Sequence, residues 1–175
     1  MSFRTCQLCG VEFRLARADA KFCSAKCRVY FARGKRPLPH ALMSRDRWIR
    51  YSSKKVPLRV SGGNASSTDS GSWSSYAEAS KSNVGIGLGF VLNGDGIGCY
   101  DLDHCFVDGV PSLQAVEFVR SVNPFYVEVS PSGEGLHAWV YAEKADGFRR
   151  RIDGLNVEFY THGRYLTVTG RHILI

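Results

Sequence analysis

The sequence predicts an α+β protein built on antiparallel sheet and preceded by a small metal-binding module. Three observations predict it. Beyond residue 84, short segments of alternating apolar and polar residues recur between Gly, Asn, Asp and Ser turn signals. Residues 112–122 instead place Leu113, Val116, Phe118 and Val119 at helical spacing. Two close cysteine pairs stand within the first 27 residues. A chain of 175 residues is long enough for one cored domain with a small appended module, and too short for a multidomain machine.

The first element is the cysteine module. Cys6-Gln7-Leu8-Cys9 and Cys23-Ser24-Ala25-Lys26-Cys27 each supply two thiols able to chelate one side of a tetrahedral Zn²⁺. Leu8, Phe13 and Phe22 are too few to form a core unaided, so metal binding is expected to supply the folding energy. Two reduced thiol pairs without metal are the plainer alternative. The second pair resembles a treble-clef knuckle and opens a basic helix expected from Ser24 to about Arg33. Its Lys26, Arg28 and Arg33 are the candidate DNA-phosphate contacts. Cys99 and Cys105 are expected to remain free thiols.

Residues 1–34 thus form the zinc module and residues 35–47 a linker, with Gly34, Pro37 and Pro39 stopping the helix. Residues 48–175 form the main domain. It opens on Trp48-Ile49-Arg50-Tyr51, read as core, followed by a Ser- and Gly-rich loop over 61–75 and a short helix over 75–81. Three hairpins are then expected, pairing 84–92 with 97–103, 125–129 with 136–141, and 155–160 with 165–169.

Strand parity places Gly98, Tyr100 and Leu102 on one face and Cys99, Asp101 and Asp103 on the other. The same rule separates Leu136, Ala138 and Val140 from His137 and Trp139, and Val157 and Phe159 from Glu158. With the apolar faces on the helices, Asp101, Asp103, His137 and Glu158 converge on one open sheet surface. Three carboxylates so placed repel one another unless a cation neutralises them. Hard oxygen ligands favour Mg²⁺ or Mn²⁺, and two such ions form a clamp for in-line displacement at a phosphate. Solvated edge acids and a structural histidine are the simpler reading.

Asp101-Leu102-Asp103-His104, Ser130-Pro131-Ser132-Gly133-Glu134-Gly135-Leu136-His137 and Val157-Glu158-Phe159-Tyr160, in that order, resemble the three motifs of the archaeo-eukaryotic primase superfamily. The resemblance is to its phage and plasmid primase-polymerase group. It extends through Lys54-Lys55-Val56-Pro57 and Gly163-Arg164-Tyr165-Leu166-Thr167-Val168-Thr169-Gly170, and covers roughly residues 48–170. It implies an open antiparallel sheet like that of an RNA-recognition motif (RRM), packed helices and a second small α/β part. It also implies a DNA-templated nucleotidyltransferase in which Asp101, Asp103 and Glu158 hold two metals and His137 contacts the incoming triphosphate. Many relatives place Ser two residues before the motif histidine, where this chain has Gly135. The triphosphate cradle is therefore expected to use backbone N–H groups around Ser132 and Gly135. Arg164 is a further candidate phosphate contact, with Lys54 and Lys55 weaker ones. Relatives usually continue past the Thr-Gly motif, so a separately encoded helicase is an expected partner.

Charge placement fits this division. Residues 1–59 hold 15 Lys and Arg against three acids, a balance of +12, whereas the remainder carries −5. The front is expected to grip single-stranded DNA template and the back to hold metals and nucleoside triphosphates. A non-catalytic DNA-binding protein on the same fold, or a metal-dependent nuclease using His104 as base, are the competing classes. The longest nearly apolar run, residues 84–92, is well short of the roughly 20 residues of a membrane helix. The opening residues lack a secretory core, so a cytoplasmic setting is expected, that of the bacterial host for a phage protein.

Overall fold

Strand-forming sequence dominates the chain, and in the computed structural model it builds two principal antiparallel sheets. The structure describes residues 3–8, 11–14, 17, 19–32 and 37–175, in two units, Met1–Ser44 and Arg45–Ile175.

In the first unit, β1 (Phe3–Thr5) pairs antiparallel with β2 (Glu12–Arg14). Helix α1 (Ala25–Ala32) follows where the second cysteine pair predicts it, and Ser24 caps it by accepting the Cys27 N–H at 3.2 Å. Its buried apolar set is small, Cys6, Leu8 and Cys27 with Val11, Phe13, Phe22 and Tyr30 against them. The short α2 (His40–Met43) closes the unit. Cys9, Arg33 and residues 34–36, where the expected helix end and linker begin, lie outside the described residues.

The second unit opens with β3 (Trp48–Tyr51) and β4 (Pro57–Leu58), and Trp48 and Ile49 are fully buried, as core residues should be. Helix α3 (Tyr76–Lys81) starts at a capping box in which Ser75 and Glu78 satisfy each other's backbone N–H groups. Next come β5 (Gly87–Asn93), β6 (Ile97–Asp103) and the small hairpin of β7 (Phe106–Val107) and β8 (Val110–Pro111). Helix α4 (Leu113–Ser121) is capped by Ser112. The remaining strands are β9 (Tyr126–Val129), β10 (Leu136–Tyr141), β11 (Phe148–Ile152), β12 (Leu155–Tyr160) and β13 (His162–Val168). The larger sheet has the order β11-β12-β6-β10-β9, the smaller β13-β5-β3-β4.

Two of the three expected hairpins are therefore corrected. Strands β5 and β6 do not pair; β5 lies between β13 and β3, and β6 between β12 and β10. Likewise β12 and β13 part into different sheets, and only β9 and β10 form the hairpin their sequence suggests. The physical reason lies in the connections, which carry the chain from one sheet to the other side by side. Gly94 N–H donates to the Thr161 carbonyl at 2.8 Å. Arg45 and Arg47 hold Asp95 by ion pairs of 2.6 and 2.8 Å, and Arg47 also donates to Asn93. Burial pulls the Arg47 pKa down to about 10, against the opposing pull of Asp95. A turn anchored this way serves as a crossover.

Helix α4 also turns differently from its sequence reading. Leu113 is 69% exposed, and Ala115 and Val119 are the buried positions. They join Leu102, Leu136, Ala138 and Val157 in the core on one face of the large sheet, with Phe118 packed against it. The other face is not uniformly open, which corrects a second expectation. Phe90 of β5 meets Trp139 of β10 edge-on at 5.7 Å and Trp48 at 5.1 Å, so the smaller sheet covers that end of the face.

Candidate active site

Register brings the titratable residues into one row across five strands. Asp101 of β6 stands opposite His137 of β10 on one side and Glu158 of β12 on the other. The row extends to Arg149 of β11, opposite Glu158, and to Glu128 of β9, opposite His137. A second row places Arg151, Asn156 and Asp103 in register beside it. Strand parity anticipated Asp101, Asp103, His137 and Glu158 on one face, and they share it.

The row runs from buried to exposed. Glu128 is fully buried and His137 nearly so, while Asp103 and Arg149 lie on the open side. Glu128 is held by its surroundings. Its Oε2 accepts the N–H groups of Thr169 and Gly170 at 3.0 and 2.8 Å and the Thr169 hydroxyl at 3.1 Å. Its Oε1 faces His137 Nδ1 at 3.3 Å and accepts from Trp139 Nε1 at 3.4 Å. His137 Nε2 then points towards Asp101, 3.6 Å from Oδ1. Burial alone would lower the His137 pKa, but the Glu128 hydrogen bond and the charges of Asp101 and Glu128 outweigh it, so the imidazolium is favoured. Burial pushes the Asp101 carboxyl up, and the charges of Asp103 and Glu158 push in the same direction against His137 and Lys55.

Glu158 is engaged on both oxygens. Arg149 Nε pairs with Oε1, and the Tyr160 hydroxyl donates to Oε2 at 2.7 Å. Arg164, at the register shift between His162 and Arg164 in the β13–β5 pairing, stacks over the Tyr160 ring at 4.6 Å, the residue whose hydroxyl donates to Glu158. Lys55 occupies the β3–β4 turn with φ 57°, and its charge reaches both Asp101 and His137.

The turn before β10 has its own geometry. Ser132 Oγ accepts the Glu134 N–H at 3.2 Å and lies 3.1 Å from Ser130 Oγ. A Cβ at Gly135 would fall 2.5 Å from the Leu102 carbonyl oxygen and 2.9 Å from Ser130 Oγ. Glycine stands there because the turn packs directly on the end of β6. His104 just past β6 is exposed, in a left-handed conformation, and faces Glu134 at 3.1 Å rather than the row.

The donor chemistry fits two classes of metal. In the first unit the sulfurs of Cys6, Cys23 and Cys27 lie within 4.8 Å of one another, which suits a soft thiolate-bound ion. Asp101, Asp103 and Glu158 offer only hard oxygens, of the kind that Mg²⁺ or Mn²⁺ takes. Among the described residues these acids do not close to the mutual spacing of the thiols. Glu158 is turned towards Arg149 and Tyr160 instead.

Glu128 and Arg149 were not singled out in the sequence. Glu128 carries the parity of a site-facing residue on β9, a signal that was available. Ile152-Asp153-Gly154-Leu155 is a strong hairpin signal, confirmed by φ 48° at Asp153 and 86° at Gly154, and would have revealed β11.

No protein-family model matches the chain. It is 35% identical over 133 residues to a DNA primase-polymerase of Nitratiruptor phage NrS-1, a match covering 70% of this chain. The chain spans about 18% of that protein's length. A phage primase-polymerase is thus a relative of most of this chain. Among the described residues, no helix is long and apolar enough to cross a membrane.

Proposed function

We propose that this chain is the catalytic part of a DNA primase-polymerase, a nucleotidyltransferase that adds nucleotides to a 3′ hydroxyl on a DNA template in phage or mobile-element replication. The observation that carries the reading is the register of Glu158, Asp101 and His137 across three adjacent strands, with Asp103 beside them. The phage relative supports the same assignment. The larger sheet with α4 on its back corresponds to the RRM-like part the motifs imply, and the smaller sheet with α3 to the second part.

In this reading Asp101, Asp103 and Glu158 hold Mg²⁺ or Mn²⁺. Bound there, the ions would lower the pKa of the attacking hydroxyl and stabilise charge on the transferring phosphate. His137 is fixed by Glu128 with Nδ1 occupied, so Nε2 is the atom presented to the reactants. As an imidazolium it donates to a triphosphate oxygen, and Arg164 and Lys55 add positive charge on either side. The turn around Ser132 and Gly135 offers backbone N–H groups to the same phosphates. Arg149 would have to yield Glu158 Oε1 for that oxygen to ligate a cation. Cys6, Cys23 and Cys27, with Cys9, hold structural Zn²⁺, and Lys26, Arg28 and Arg33 grip the template strand. The helicase such an enzyme works with is a separate polypeptide or part of a longer one.

Primer extension with labelled nucleotides and Mg²⁺ or Mn²⁺ tests the reading. Lengthened products that require template support it. Shortened products would indicate a nuclease, and binding without turnover a non-catalytic DNA-binding protein.

A further inference from the structure

Strand β11 is the free edge of the larger sheet and carries Arg149-Arg150-Arg151, three of the eight Lys and Arg residues that follow Arg59. This concentrates positive charge within an otherwise acidic region. Arg149 and Arg151 alternate with Arg150, so they share the face of Glu158 and Asn156, to which they are paired in register. Arg150 turns to the opposite face and lies over the Phe148 ring at 4.8 Å. All three arginines are exposed. Among the described residues no carboxylate pairs with Arg151. A depression of about 380 Å³ lies among these arginines, Asp103, His104 and Asn156.

We infer that Arg149 and Arg151 form a track for the phosphodiester backbone of a DNA strand, leading along the edge of the sheet to the acid row. Same-face residues two apart on a strand are separated by about 6.6–6.8 Å. This is comparable to the separation of neighbouring phosphates along an extended single strand, and roughly twice that within a triphosphate. Two guanidiniums at this spacing match successive phosphodiesters better than one nucleotide tail. The free edge also leaves room for a strand to run past. The inference rests on the proposed function for its choice of partner, but a binding measurement tests it without turnover.

The test is the salt dependence of affinity for a labelled oligothymidylate, measured by fluorescence anisotropy on the full chain without nucleotide or divalent metal. Each phosphate contact on a single strand contributes about 0.7 to the slope of log affinity against log salt. Arg151→Gln should therefore reduce the slope by about 0.7, and Arg149→Gln/Arg151→Gln by more, up to about 1.4, as the strand competes with Glu158 for Arg149. Arg151→Lys should retain it, and Arg120→Gln, which removes one exposed charge from α4, should leave it unchanged. Circular dichroism melting confirms that each variant is folded. A double variant with the slope of Arg120→Gln would overturn the inference. So would loss of inorganic tripolyphosphate binding with the DNA slope intact, which would assign the arginines to the nucleotide. Loss of slope in a chain that fails to extend primers would keep the track and reject the polymerase. Extension with an unchanged slope would do the reverse.

Discussion

Glu128 and His137 face each other across β9 and β10, with Glu128 Oε1 3.3 Å from His137 Nδ1 and both side chains buried. The pair joins the titratable row to the Thr-Gly stretch after β13, because Thr169 and Gly170 donate to the other Glu128 oxygen. The Thr-Gly stretch thus acts at a distance, by orienting the carboxylate that orients the histidine.

Glu128→Gln should lower the His137 pKa, since the hydrogen bond and charge that overcome burial are weakened. A raised folded-state value stabilises the protein most below the unfolded histidine value of about 6.5, and that contribution fades as pH rises through the folded value. The wild-type advantage from this group should therefore shrink with rising pH. Imidazole NMR titration reads the pKa directly, and nucleotide transfer should fall about 10–100-fold, as for other residues that orient a site histidine.

Asp101 acts on stability in the same sense, over a lower pH window. Its raised folded-state pKa means that ionisation costs stability as pH rises from the usual 3.8 through the folded value. Asp101→Asn should gain on wild type across that window and hold the gain above it. Millimolar Mn²⁺ should raise the wild-type melting temperature and have little effect on Asp101→Asn. Equal stabilisation of both would place the cation elsewhere.

Gly135 is fixed by contact rather than by φ. Gly135→Ser would place Cβ 2.5 Å from the Leu102 carbonyl oxygen. The substitution should destabilise the fold by about 1–3 kcal/mol, as overpacking does, and a denaturant midpoint measures it.

The cysteine cluster predicts about one Zn²⁺ per chain by elemental analysis. Cys23→Ser should remove most of it and unfold the Met1–Ser44 unit, leaving melting of the Arg45–Ile175 unit nearly unchanged. Unchanged metal content would reject the assignment.

Parity made the face that carries the acid row legible because each strand alternates strictly, so Asp101, His137 and Glu158 needed no knowledge of which strands pair. Pairing itself was less legible. The Asn93–Gly96 and Thr161–Gly163 segments carry hairpin-like residues, yet Arg45, Arg47 and the Gly94–Thr161 hydrogen bond turn them into neighbouring crossovers between sheets. Such long-range anchors leave no local trace. Strand β11 was hidden differently, since three arginines interrupt the apolar alternation and its Asp-Gly turn alone marks it. Leu113 misled by composition, being apolar but at the exposed start of α4.

Nucleotide transfer is expected to depend on the acids of β6 and β12. Primer extension by wild type, Asp103→Asn and Glu158→Gln, all with Mn²⁺ and all verified as folded, tests it most directly. Template-dependent extension is expected of the wild type, with a loss of at least about a hundredfold, roughly 2.7 kcal/mol of barrier, in each variant. Extension by Asp103→Asn near the wild-type rate would contradict it.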